Sequence, residues 1–353
     1  MLKVSVVIPA RDSQSTIRAS VETLHNQTRR PDEVIIVVGK NDFTHVAIED
    51  FIVSGFVTMI VAEPPDDYVR DTQWKRWQGI QESFGDVIFL TDSMILLEEH
   101  ALENALRLME EHQVSVLGGI TPSWPDQANN FWAVLHDKAL VSNLPQFPVA
   151  GLLTAENFGK TESLPVTAAL MMTRDVFESV EDDFALEFSK VGASYEDFAL
   201  SWLIVKAGYT ILVTNQVVAY HKHRINWSEY SRQIGRSGQG AAVMAKMYSD
   251  CPLSTRKLKQ VNLIKRALLL VAISGLFAAT VFKCTAIIIA LFLSVVGFLV
   301  LGVLNVFKAK KFQAFFFPLF TTLLILNFAL HFNKTYAQTS YSPSMVNEYL
   351  QIR

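Results

Sequence analysis

Two adjacent carboxylates stand in Gly192-Ala-Ser-Tyr-Glu196-Asp197-Phe-Ala-Leu, where a helical pattern begins. Burial at the mouth of a pocket can tune such a carboxylate to take up a proton, the work of a general base. At a helix start the same pair also complements the helix dipole. Farther along, Gln233 and Arg236 fall on one helix face at i, i+3, with Arg232 alongside. They could hold an anionic group through charge-assisted hydrogen bonds, or belong to a basic helix lying at a membrane surface. His221-Lys222-His223-Arg224 offers four potential cations or ligands directly after a strand-like run, a composition more usual in a solvated turn. Asp92-Ser93-Met94 closes another such run with one carboxylate and a thioether. Methionine is a poor ligand for hard Mg²⁺ or Mn²⁺. No dinucleotide-type glycine fingerprint follows the first strand and no GxxxxGK[ST] loop occurs, which disfavours a dehydrogenase and a P-loop ATPase.

The elements that must position these residues are legible up to about residue 220. Stretches 4–8, 33–38, 57–61 and 87–90 are short, rich in β-branched residues and bounded by turn residues, as strands are. Between the first two, 13–27 repeats Ile17, Val21 and Leu24 at helical spacing, with Ser13 as its expected cap. Residues 97–111 repeat the pattern with Leu102, Ala105, Leu106 and Met109. Strand–helix alternation with continuous apolar strands predicts an α/β fold with a mostly parallel sheet covered on both faces. Ligands of such sheets bind beyond the C-terminal strand ends, so loops 9–12, 39–42 and 91–94 are the ones to search. The span 121–165, rich in Pro, Asn and Trp, reads as an irregular pocket-lining segment. Order returns with a strand over 166–172, a helix over 195–207, and strands over 210–213 and 217–220.

Half of the 353 residues are hydrophobic, and the excess sits after Val261. Stretches 285–307 and 312–332 contain no charged side chain, and at ~1.5 Å per residue each reaches roughly 30 Å. The shorter 267–282 gains length if Lys265 and Arg266 snorkel. Basic residues of 256–266 and 308–311 outnumber Lys283, Lys334 and Arg353, so three spans put the N-terminal part in the cytosol by the positive-inside rule. The net charge of −3 gives no support for a nucleic-acid partner. The N-terminal apolar run lacks a cationic leader and reads as a buried strand. Cys251 and Cys284 are the only cysteines, which argues against a disulfide framework and fits a reducing compartment.

Five blocks in order then carry a family resemblance over residues 3–240. Val4-Ser-Val-Val-Ile-Pro-Ala-Arg-Asp, with Gln27 and Asp32-Glu-Val-Ile-Ile-Val-Val, resembles the opening of the family-2 glycosyltransferases. Lys75-Arg-Trp-Gln-Gly-Ile before Gly85-Asp-Val-Ile-Phe-Leu is similar to their "ARNxGI … GDxIxFLD" segment, and Glu196-Asp197 through Ala207-Gly-Tyr to their "EDxxLxxRxxxxGY" block. Gln233-Ile-Gly-Arg236 resembles the QxxRW motif of the membrane-bound members.

The resemblance implies an A-type glycosyltransferase fold over residues 1–225; with the apolar stretches beyond it, the chain is expected to continue with an amphipathic helical segment over 226–262, about three transmembrane helices over 263–332 and a tail over 333–353. It implies an inverting enzyme with Asp197 as base beside Glu196. Pro9, Ala10, Arg11, Asp42, Arg76, Asp92, Ser93 and His221 would bind a nucleotide-sugar donor, and Gln233 and Arg236 would hold the diphosphate or the acceptor. The acceptor would be a lipid-linked or growing glycan at the membrane, with a cytosolic catalytic domain. A polyprenyl-phosphate sugar synthase and a catalytically silent nucleotide-binding scaffold are the competing readings. Two departures from the family pattern bear on the chemistry. Met94 takes the second carboxylate of the DxD metal motif, leaving Asp92 and making the role of Mn²⁺ or Mg²⁺ an open one. Gly39 replaces the base-reading aspartate after the second strand, with Asp42 nearby.

Overall fold

The computed structural model describes residues 2–138, 151–159, 164–192, 194–281, 284–309 and 312–338. The chain divides into two compact units, Met1–Ala128 with Asn143–His223, and Asn129–Ser142 with Arg224–Arg353. The first unit runs β1 (Val4–Pro9), α1 (Ile17–His25), β2 (Glu33–Val38), α2 (Glu49–Val53), β3 (Thr58–Val61), α3 (Thr72–Gln81), β4 (Val87–Leu90), β5 (Ile95–Leu97), α4 (Ala101–Glu111) and β6 (Val116–Ile120). After α5 (Phe131–Lys138), which belongs to the second unit, it resumes with β7 (Gly151–Leu153), β8 (Leu170–Thr173), α6 (Arg174–Val180), α7 (Glu187–Lys190), α8 (Glu196–Lys206) and β9 (Ile211–His221).

These strands form one sheet in the order β3-β2-β1-β4-β8-β6-β9-β5, with β7 also paired to β9. β1 lies parallel to β2 and β4, and β2 parallel to β3. The other half is mixed. β8 runs antiparallel to both β4 and β6, β9 runs parallel to β6, and β5 and β7 run antiparallel to β9. The sheet is thus less parallel than the apolar runs suggest, because such runs record burial on both faces and not the direction of the neighbours.

The core explains why the elements form. Every residue of β1 is buried, and its one polar side chain is satisfied: Ser5 Oγ donates to Glu33 Oε2 at 2.6 Å and accepts from Gly85 N at 2.8 Å. Ile17, Val21 and Leu24 of α1 and Leu102, Ala105, Leu108 and Met109 of α4 enter one cluster with β1, β2 and β4. Gln27 ties the two helices together: its Nε2 donates to Glu98 O at 2.7 Å and its Oε1 accepts from Leu102 N at 3.1 Å.

Some expected boundaries differ. Helix α1 begins at Ile17 after Thr16, and the Ser13 hydroxyl bonds the Ser93 hydroxyl at 2.8 Å in place of capping. Leu97 belongs to β5, paired with Ala219, and α4 starts at Ala101; an isolated Leu satisfies either period. The two strands expected over 210–220 are one strand, β9, whose register against β6 shifts between Gly118 and Ile120. There a Cβ on Gly119 would stand 2.6 Å from Val217 O, so only glycine admits the close approach. The expected strand over 166–172 is a 3₁₀ turn, Thr167–Ala169, followed by β8. Within 121–165, the described residues include α5 and β7; positions 139–150 and 160–163 lie outside them.

The second unit contains α9 (Trp227–Met247), α10 (Pro252–Val281), α11 (Cys284–Ala309) and α12 (Phe317–Gln338). Asn226 caps α9 by accepting from Glu229 N at 3.0 Å. One face of α9 is made of small residues, and α12 lies against it. A Cβ on Gly238 would overlap the Phe328 carbonyl oxygen, and one on Gly235 would stand 3.1 Å from the His331 ring. Asn327 Nδ2 donates to Ser231 O at 2.6 Å across the same seam. Val134 and Leu135 of α5 join Tyr230, Phe317 and Leu324 in a separate hydrophobic cluster. Ala314–Gln338, with a mean hydropathy of 1.8, is long and apolar enough to cross a membrane by length and composition. Large apolar side chains on α10 and α11, among them Leu269, Val271, Phe292 and Leu293, are exposed.

Helix α3 reaches the sheet through Gly79, where a Cβ would lie 2.5 Å from Val7 Cγ1 and 3.0 Å from Val37 Cγ2. Gly79→Val should therefore lower stability by about 1–3 kcal/mol through overpacking, read as a lower urea midpoint with an unchanged slope.

Candidate active site

The candidate site residues of the first unit gather beyond the C-terminal ends of β1, β2 and β4, where parallel strands leave a crevice. After β1, Ala10 N donates to Val37 O at 2.9 Å and Ala10 O accepts from Lys75 Nζ at 2.9 Å. Pro9 ends the strand, and Asp12 then takes a left-handed backbone with φ 49°. Asp42 accepts from Asp12 N at 2.8 Å and Thr44 N at 2.7 Å. Burial pushes the Asp42 carboxyl upward, but the hydrogen bonds from Thr44 and Asp12 outweigh it and hold the group below its ordinary value. Arg11, Asp12, Gly39, Asp42, Glu63 and Lys75 are among the residues lining a cavity of about 400 Å³.

The second cluster is built around Arg76 on α3, 3 % exposed. Its Nη2 donates to Asp92 Oδ1 at 2.6 Å and its Nη1 to Gln73 Oε1 at 3.0 Å. Burial opposes this charge, but Asp92, Asp197 and Glu196 more than compensate and leave the guanidinium above its ordinary value. Asp92 Oδ2 stands 4.0 Å from His221 Nε2, and the His221 ring stacks on His223 with centroids 4.8 Å apart. Ser93 is tied inward: its hydroxyl meets that of Ser13, and its carbonyl accepts from Ser20 Oγ at 3.1 Å. The Met94 carbonyl accepts from Lys222 N at 3.1 Å and Trp124 Nε1 at 3.0 Å, so this residue locks β5 beside β9 through its backbone.

Glu196 and Asp197 open α8 behind Tyr195, whose φ of 91° turns the chain sharply into the helix. Thr167 Oγ1 donates to Asp197 Oδ1, and Ser201 Oγ donates to Asp197 O at 2.8 Å. Burial and then the neighbouring Asp197 charge push the Glu196 carboxyl above its ordinary value, with Arg70 and Arg76 acting against them. A buried guanidinium, a carboxylate held by a hydroxyl and a second carboxyl of raised pKa can together orient a hydroxyl and take up its proton. Gln233 and Arg236 lie one turn apart on α9, in the second unit.

Three further residues of the candidate site are not singled out by the sequence. Lys75 is 1 % exposed and pairs with Asp71 at 2.7 Å; its i, i+4 spacing from Asp71 was the available signal. Thr167, thirty positions before Asp197, had none. Glu63 sits in the loop after β3, whose residues the strand pattern alone does not single out.

Residues 3–240 match the family described as glycosyltransferase-like family 2. The mannosyltransferase PcManGT from Pyrobaculum calidifontis, solved with GDP-Man and Mn²⁺, is 15 % identical with a TM-score of 0.62, over 96 % of this chain and 88 % of that one. S. aureus TarS 1-349 with UDP-GlcNAc is 13 % identical with a TM-score of 0.51, over 95 % of this chain and 91 % of the other. A longer S. aureus TarS structure aligns at 14 % identity and a TM-score of 0.47, and there 68 % of this chain spans only 40 % of the TarS chain. Among curated proteins no sequence matches. At these identities the likeness shows the fold, the α/β architecture of the A-type glycosyltransferases.

The Glu196 carboxyl has a testable consequence. Holding its proton more tightly folded than unfolded, it contributes stability fully below its ordinary value and loses that contribution as pH rises through the raised one. Glu196→Gln should flatten the fall in stability over that window, measured as denaturation midpoints at successive pH. Parallel curves for both proteins would mean that Glu196 titrates as a solvated carboxyl.

Proposed function

The chain belongs to glycosyltransferase-like family 2, and we propose that it transfers a sugar from a nucleotide-sugar donor, with inversion, to a lipid-linked or growing glycan acceptor at a membrane. The observation that carries this reading is the Arg76–Asp92–His221 constellation, with Glu196 and Asp197 among the charges bearing on Arg76, at the open ends of the parallel strands. Asp197, oriented by the Thr167 hydroxyl, takes the acceptor's hydroxyl proton as that oxygen attacks the anomeric carbon from the side opposite the diphosphate. Direct attack from that side inverts the carbon. Arg76 holds Asp92 in place. Gln233 and Arg236 offer an amide and a guanidinium on one helix face, suited to the oxygens of the diphosphate or of the acceptor.

The departing diphosphate needs positive charge as the bond breaks. Asp92 and His221 would hold one divalent ion; a carboxylate and an imidazole fit Mn²⁺ better than Mg²⁺. When bound, that ion would neutralise the leaving group. The solved mannosyltransferase carries Mn²⁺ with its donor, which supports the same use here.

Membrane attachment is supported by the apolar 314–338 helix and by the exposed large apolar side chains of α10 and α11. The three-span reading puts the first unit in the cytosol, where nucleotide sugars are made.

The transfer reading is tested in detergent with a panel of nucleotide sugars and Asp197→Asn. The variant should bind donor as the wild type does and lose about 10²–10⁴-fold in transfer rate. Transfer at the wild-type rate would remove Asp197 from the mechanism. For the metal, only one carboxylate of the triplet remains, so activity should survive modest chelation, and Met94→Asp should make it more responsive to added Mn²⁺ in a chelator titration. Complete loss of wild-type activity on chelation, restored by micromolar Mn²⁺, would mean that other ligands build a full site.

A further inference from the structure

Helices α10 and α11 differ from α12 in what covers them. From Leu263 onward the large apolar side chains of α10 stand open, among them Leu268, Leu270 and Ile273. On α11 the successive residues Leu291, Phe292 and Leu293 are all exposed, and so are Leu299, Val300 and Leu301 a few turns on. Successive helical residues point in different directions, so this helix is apolar and open on every side, as a membrane span is. At ~1.5 Å per residue the charge-free 285–307 reaches roughly 34 Å, and 263–281, with Lys265 and Arg266 snorkelling, roughly 28 Å.

Helix α12 has the length and composition of a span too, but its neighbours hold it back. It runs beside α9 in the same direction. The Phe320 and Trp227 rings lie 5.7 Å apart, Asn327 bonds Ser231, His331 meets Gly235, and Lys246 Nζ stands 5.0 Å over the Tyr336 ring. Along this length α9 carries Glu229, Arg232 and Arg236, all exposed. Were α12 to cross, it would draw those charges into hydrocarbon with it. Lys257, which precedes the apolar stretch of α10, lies 5.7 Å over the Phe328 ring. The middle of α12 therefore stands level with the basic flank from which α10 departs.

We propose that the chain crosses the bilayer twice, out through α10 and back through α11, and that α12 stays on the side of entry, bound along α9. This rests on the membrane attachment proposed above; it keeps the orientation and lowers the number of crossings from three to two. The charges agree with it. Lys265 and Arg266 precede the two crossings and Lys308, Lys310 and Lys311 follow them, so both basic clusters share one side, while Lys283 alone separates α10 from α11 on the other. Leu319, Leu323 and Leu330 form one exposed face of α12, which suits a helix lying in the plane of the lipid headgroups.

The test uses the full chain in a bacterial inner membrane and a maleimide that cannot cross it. Native Cys284, at the start of α11, is the remaining thiol in Cys251→Ala; Ser228→Cys and Gln338→Cys are each made with both native cysteines replaced by alanine. Cys284 should label in intact cells, and Ser228→Cys and Gln338→Cys only after permeabilisation. Ser231→Cys combined with Asn327→Cys should cross-link on oxidation in the membrane, because these side chains meet at 3.2 Å. Labelling of Gln338→Cys in intact cells, labelling of Cys284 only after permeabilisation, or no cross-link would overturn the two-crossing arrangement and leave membrane attachment standing. Release of the whole chain by an alkaline carbonate wash would overturn the attachment reading itself.

Discussion

A buried guanidinium organises the catalytic unit. Arg76 is almost wholly removed from water, and a charge so placed is tolerable only among opposite charges and good acceptors. Asp92, Glu196 and Asp197 provide the first, and Gln73 the second. These partners come from α3, the end of β4 and the start of α8, so the need to neutralise one side chain draws together elements more than a hundred residues apart in the chain. Gly79, on the same helix, sets how closely α3 can approach β1 and β2, and hence where Arg76 stands. The chemistry of the site and the packing of the helix are one problem with one solution.

Much of this was legible in the sequence for identifiable reasons. Strands β2 and β4 match the expected limits because continuous β-branched runs leave no other assignment. Helix α8 is found because its acidic first turn and apolar body agree. Reading failed where a residue satisfied two patterns at once, as Leu97 did, or where a polar side chain had a long-range partner, as Ser13 did with Ser93. The polar Thr214-Asn215-Gln216 stretch looks like a turn, yet the strand carries it as an irregularity opposite Gly119. The direction of β8 was out of reach because hydrophobicity carries no polarity.

At the site, residues that act through chain-local motifs were visible, and those that act through space were not. Glu196, Asp197 and Arg76 lie in recognisable blocks. Thr167 becomes interesting only once its hydroxyl meets Asp197. Gly39 and Glu63 teach the same lesson: the space beside Gly39 is met by a carboxylate from beyond the neighbouring strand, a contact that a motif comparison does not record.

The seam between α9 and α12 bears on how this protein could be re-engineered or truncated. Gly235 and Gly238 let α12 touch the backbone of α9, and Asn327 bonds Ser231 across the gap. A generic leucine-rich anchor would meet that face with bulk where the native helix presents its own main chain. Replacing α12 with a foreign apolar helix would keep the hydrophobicity and still strip the helix that carries Gln233 and Arg236 of the partner fitted to its glycines. In this protein α12 is a fitted component, and a substitute chosen for hydrophobicity alone would be the wrong shape.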